Sequence, residues 1–188
     1  MSERTAERVT PGTHAIRFEA QLLRVAGRSV VRLPKEASLQ LPSRGQVAVT
    51  GLLNRHDFET VLEPDGMRGH WLAVDGALHQ AFELRDGDTV EVDVDVCAVW
   101  PEPEIPHDFG AALADAPDAS AVWRDITPMA RWEWVRWINA TKNMQTRQRR
   151  VEVGLSKLRS GKRRPCCFDL ASCTDPELSK SGKLIDAP

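Results

Sequence analysis

Three groups of side chains in this 188-residue sequence have the chemistry to act on a partner. The first is cationic: Arg149, Arg150 and Lys157, continued by Lys162, Arg163 and Arg164, form a basic run suited to phosphate-bearing partners through ion pairing and counterion release. At about 100° per helical residue, Arg150 and Lys157 fall near one face, away from Leu155. Together with Lys142, Arg147 and Trp132 they are the residues expected at a partner contact. The second group, Asn54, His56, His70 and Trp71, combines hydrogen-bonding and aromatic side chains at strand positions, and would suit a small-ligand pocket at a barrel mouth or a barrel–helix cleft. The third is the thiols. Cys166 and Cys167 lie beside Arg163 and Arg164, which would lower their pKa and favour redox sensitivity; with Cys97 and Cys173 they are otherwise buried or incidental thiols. A chain of this length without a secretion signal is expected to keep them reduced.

Other patterns lack the parts their chemistry needs. Asp86, Asp88, Asp93 and Asp95 lack the glycine at position six and the glutamate at position twelve of a calcium loop. No paired C-x-x-C, H-E-x-x-H, G-x-S-x-G or G-x-G-x-x-G occurs, and SGK appears twice without the upstream glycine of a phosphate loop. No catalytic residue, metal or cofactor is therefore assigned. Within WEWVRW, Trp134 and Trp137 lie about 60° apart and read as core. Trp132 projects roughly 160° from Trp134. It either seals a contact between barrel and helix or stands exposed at a binding surface.

The elements that must position these residues follow from hydrophobic periodicity. Residues 1–13 have none and read as a mobile arm ending at Pro11-Gly12. From His14 the period is two, with Ile16, Phe18, Ala20 and Leu22 alternating with polar residues up to Gln21. Further strands are expected at 29–33, 46–53, 57–62 and 70–74, and at 90–96, where four valines alternate with Glu91, Asp93 and Asp95. Six short strands with turns such as Pro64-Asp65-Gly66 predict a small closed antiparallel barrel over 14–100, with one helix at 76–84. Prolines 101, 103 and 106 end it, and 101–127 is a connection with short helices near Asp108 and Pro117. Thr127-Pro128 caps a helix to about Thr141, and a second helix runs from about Gln145 to Ser160 with Gly161 as its stop. That pair makes a basic helical module over 128–164, and 165–188 reads as a loose tail. The fold class is thus mainly β with a helical C-terminal part.

The net charge of −2 hides segregation. Residues 1–130 hold 12 Lys+Arg against 21 Asp+Glu, and 131–164 hold 11 against 2. Two readings stand open: the basic helices dock on the acidic barrel, in the same chain or in a second copy, or they present a platform for a polyanion. No stretch approaches the ~18 apolar residues of a membrane span, and MSERTAERVTPGTH has no signal-peptide core, which makes the cytoplasm the expected address.

RFEAQLL, VVRLP, GQVAVTGLLNRHDFETVLEPDGMRGHWLAV, LRDGDTVEVDV and PEPEIPHD together resemble the bacterial domain of unknown function 1905, above all at Leu53-Asn54, Phe58 and Gly87-Asp88. ITPMARWEWVRWINATKNMQTRQRRVEVGLSKLRSGKRRP resembles the bacteriocin-protection family also called YdeI or OmpD-associated, through Trp137-Ile138, Lys142, Thr146-Arg147, Arg150 and Gly161-Lys162. The chain departs from that family at Thr141, usually alanine, at Met144, often proline, and at Gln145, usually the glutamate of an E-T-R motif that could cap the helix or pair with Arg147. The resemblance implies a six-stranded barrel with a helical appendix, no established reaction, and a loose link to envelope stress and antimicrobial-peptide tolerance. The expectation is a non-enzymatic interaction or stress-tolerance protein. A small-ligand barrel, with or without catalysis, and a polyanion binder are the alternatives.

Overall fold

The computed structural model describes residues 15–74, 84–166 and 169–186. The expected arm at 1–13 lies outside the described residues, as does all but the last residue of the expected helix at 76–84.

Six strands, β1 (Ile16–Val25), β2 (Arg28–Arg32), β3 (Val47–Leu53), β4 (His56–Pro64), β5 (His70–Ala73) and β6 (Thr89–Val96), close into a barrel in the order β1-β2-β5-β4-β3-β6. Every pairing is antiparallel. Closure depends on the length of β1. Its first half pairs with β6, Ile16 opposite Val94, and its second half with β2, Val25 opposite Arg28. One strand thus turns the corner and leaves no open edge. Two-residue turns fix the register: Ala26-Gly27 joins β1 to β2 and Asn54-Arg55 joins β3 to β4, all four residues at positive φ, as hairpins of this twist require. A short helix, α1 (Lys35–Leu39), follows β2; no periodicity marks a segment this short.

The expected alternation appears as burial. Ile16, Leu22, Val49, Leu53, Phe58, Leu62, Leu72, Val90, Val92 and Val94 fill the barrel interior. Gly51 is needed where β3 crosses β6: a Cβ there would stand 1.9 Å from the Asp93 carbonyl oxygen. Gly51→Ala is expected to lower stability by about 1–3 kcal/mol, the range for forced overpacking. A denaturant midpoint within error of the parent would refute this.

Four helices follow the prolines: α2 (His107–Ala114), α3 (Pro117–Asp125), α4 (Pro128–Asn139) and α5 (Met144–Arg159). Thr127 Oγ1 accepts from Ala130 N at 3.3 Å, so the expected cap is present. Asp108 does not cap α2. It lies one residue inside, with Pro106 at the cap position. Phe109, Trp123, Ile126, Trp134, Ile138, Val151 and Leu158 form a second core, in which Trp134 and Trp137 meet edge to face at 5.9 Å. The expected loss of a cap at Gln145 is made good by Asn143, whose Oδ1 accepts from Thr146 N at 2.9 Å.

The loose tail expected from 165 onward is corrected. Strands β7 (Ser179–Lys180) and β8 (Lys183–Leu184) form a hairpin whose Leu178 and Leu184, with Cys173, pack against Val25, Val30 and Trp71 on the outside of the barrel. Arg32 donates to the carbonyl of Ile185 at 2.5 Å. The outer faces of β2 and β5 are too apolar to meet water, and the tail covers them.

Candidate functional site

Helix α4 has two working faces. Ala130, Trp134 and Ile138 recur every four residues and enter the helical core. Trp132, Val135, Arg136 and Asn139, at i, i+3, i+4 and i+7, form the opposite stripe, which looks onto the barrel. There the outward side chains of β4, Glu59, Val61 and Glu63, run at period two, and Trp71 lies across from Glu63 in the ladder. Arg28 of β2 and Thr174-Asp175-Pro176 of the tail complete the walls. The result is a cleft of about 380 Å³ between barrel, α4 and tail. That falls within the size range of small-ligand sites.

The deep end is an ionic knot. Arg136, only 5% exposed at its side chain, pairs with Glu63 through Nε and Oε2 at 3.1 Å. It also donates to the carbonyls of Leu170, at 3.0 Å, and Ser172, which ties tail, helix and barrel together. Gln46 Nε2 donates to Glu63 Oε1 at 2.5 Å. Burial pushes the Glu63 carboxyl above its ordinary range, against the opposing pull of Arg136 and Gln46. Arg28 pairs with Asp175 nearby. The two indole N–H groups are spent on backbone: Trp71 Nε1 donates to Pro64 O at 3.2 Å and Trp132 Nε1 to Pro101 O at 2.8 Å. Trp132 therefore sits at the contact between the connection, helix and barrel, and its ring borders the cleft.

Of the four residues expected in a barrel pocket, only Trp71 reaches this cleft. Asn54 and His56 sit at the tip of the β3–β4 hairpin, where Asn54 Oδ1 accepts from Glu91 N at 2.9 Å. His70 pairs with Pro64 at the far end of β4, roughly 25 Å away along the strand. It is buried, its Nε2 lies 3.0 Å from Gly45 O, and burial holds its pKa down. The expected pocket at the barrel mouth therefore does not assemble. A strand spreads its residues along its length, while the interior is filled with apolar side chains.

The cationic residues are also redistributed. Arg147 forks onto Asp108, with its Nε 2.6 Å from Oδ2, and holds that carboxyl below the usual range; it also donates to Asn139 Oδ1 at 2.9 Å. Arg147 thus has a partner although position 145 is glutamine rather than glutamate. Arg150 lies over the Trp137 ring at 5.5 Å and donates to the Trp137 carbonyl at 2.7 Å. Lys157 contacts the Cys166 sulfur. Arg159, Arg163 and Arg164 pair with Asp118, Asp125 and Glu133. Lys142, Arg149 and Lys162 are exposed.

Division at the end of the barrel, rather than within the helices, changes the charge picture. Residues 1–100 hold 11 Lys+Arg against 15 Asp+Glu, and 101–164 hold 12 against 8. Acidic residues of α2, α3 and the connection sit among the cations of α4 and α5, so most neutralisation is within the helical part.

Cys173 is buried under the tail hairpin, and burial pushes its thiol up to about 11. At pH 8 it is expected to stay unmodified by a thiol-specific alkylating agent while exposed Cys166 reacts, and to react once the chain is unfolded. Peptide mapping that found Cys173 labelled as fast as Cys166 would overturn the docked tail. Among the described residues no group of three or more His, Cys, Asp or Glu side chains converges as a metal site. No helix among them is long and apolar enough to cross a membrane.

The residues missed by sequence reasoning are Glu59, Glu63, Arg136, Arg28 and Asp175. A signal existed for two: Glu63 continues the Glu59-Val61 alternation, and Arg136 stands four residues after Trp132 on the same helical stripe. Arg28 and Asp175 are 147 residues apart, and nothing local couples them.

Comparison with known families agrees with this division. Residues 18–94 match the model of the domain of unknown function 1905, and residues 102–161 match that described as bacteriocin-protection, YdeI or OmpD-associated. The first match falls on the barrel and the second on the helical part. No curated protein matches it.

Proposed function

We propose that the chain is a non-enzymatic binding protein, with a role in stress tolerance, whose site is the cleft between β4, β5 and α4. The single observation that carries this reading is the joint wall: neither barrel nor helix forms the cleft alone, and Arg136 links both of them to the tail. The charged groups at its deep end are engaged in structural pairing, which favours binding over proton transfer. The description of the 102–161 match, bacteriocin protection, supports the physiological part. A fragment screen by protein-observed NMR tests the site. Hits are expected to move the indole signals of Trp71 and Trp132. Hits confined to the exposed groove at Arg17, Leu52 and Arg55 would refute it.

The polyanion reading is weaker, because Arg147, Arg150, Arg159, Arg163 and Arg164 already have partners. An anisotropy titration with a labelled oligonucleotide at 150 mM salt is expected to show no saturable binding. A steep salt-dependent isotherm abolished by reversing Arg149 would reinstate it. Self-association of barrel with helices in a second copy is weakened by the same pairing. Light scattering is expected to give a mass that does not change with ionic strength.

A further inference from the structure

We propose that the cleft takes a small organic cation, a protonated amine on an apolar body, with the charge at Glu59 and the body against Trp71 and Trp132. This deepens the reading of the cleft as a ligand site and rests on it. Arg136 is matched by Glu63 and two carbonyls, and Arg28 by Asp175. Glu59, exposed on the same wall, has no cationic partner among the described residues. The lining carries two arginines against three carboxylates, so the unmatched charge is negative. Both indole N–H groups are held by carbonyls, so what the rings offer is apolar and π surface, which attracts cations; most of it belongs to half-buried Trp132, since Trp71 is only 3% exposed and borders the cleft by an edge. Val61, Val135 and Pro176 extend that surface. Asn139 gives its Oδ1 to Arg147, which leaves the amide N–H groups to meet an acceptor on the ligand. An anion would face Glu59 uncompensated. A neutral hydrocarbon would leave Glu59 beside it with no counter-charge.

The test compares three probes of one shape, phenethylammonium, 2-phenylethanol and 3-phenylpropionate, by calorimetry and by the indole signals of Trp71 and Trp132. Phenethylammonium is expected to bind tightest and 3-phenylpropionate weakest. Glu59→Gln, an exposed substitution, is expected to weaken the amine about two- to fivefold, the scale of an exposed ion pair, and to leave the alcohol unchanged. Thermal melting of the variant checks that the fold is intact. If the amine binds no better than the alcohol, or Glu59→Gln leaves it unaffected, the cation assignment fails while moving indole signals keep the cleft. If no probe moves the indoles, both fail.

Discussion

Arg136→Leu is expected to lower stability by about 3–5 kcal/mol, the cost of removing one partner from a buried ion pair. For a chain of this length that corresponds to roughly 6–20 °C in melting temperature. The loss has two sources. Without Arg136 the upward push of burial on the Glu63 carboxyl would be opposed mainly by Gln46, so Glu63 would either carry an unpaired charge or take up a proton, and both cost free energy. The carbonyls of Leu170 and Ser172 would lose the guanidinium that holds the tail. Removing both charges, in Arg136→Leu with Glu63→Leu, is expected to recover part of the loss, because a matched apolar pair has no ion to desolvate. Hydrogen exchange of the 170–185 amides should quicken in the single variant. A destabilisation under ~1 kcal/mol would mean that the knot contributes no more than an exposed pair.

Trp134→Ala is expected to cost about 3–5 kcal/mol, as large-to-small changes of fully buried aromatic residues do. Trp134 has no exposed surface, meets Trp137 edge to face, and donates Nε1–H to the Arg163 carbonyl at 3.2 Å. Trp132→Ala, two residues away on the half-buried face, is expected to cost clearly less, because part of its ring already meets solvent. The contrast is the sharper measurement. Equal midpoints in urea would mean that the two faces of α4 are wrongly assigned.

Both faces of α4 were legible as an angle between tryptophans, since helical periodicity is a local property. What each face meets was not. The stripe holding Arg136 is opposed by a strand residue 73 positions earlier, and no periodicity links them. The basic run was legible as composition, yet its partners Asp108, Asp118 and Asp125 come from helices that a chain-wise division assigns to the acidic side. The tail gave the weakest signal of all. Leu178 and Leu184 are isolated apolar residues in a polar stretch, and their burial depends on a surface made elsewhere.

By itself the sequence determined the six barrel strands, the prolines that end them, the two long helices and the angle that sets Trp132 apart from Trp134. These are set by steric and hydrophobic rules that act over a few residues. Only the tertiary structure decided where barrel, helix and tail converge, that Asn54 and His70 stand beside opposite ends of β4, and that most arginines of α4, α5 and the segment after them are matched by carboxylates of the helical part. Those outcomes depend on which surfaces meet after collapse, and burial and ion pairing act through space.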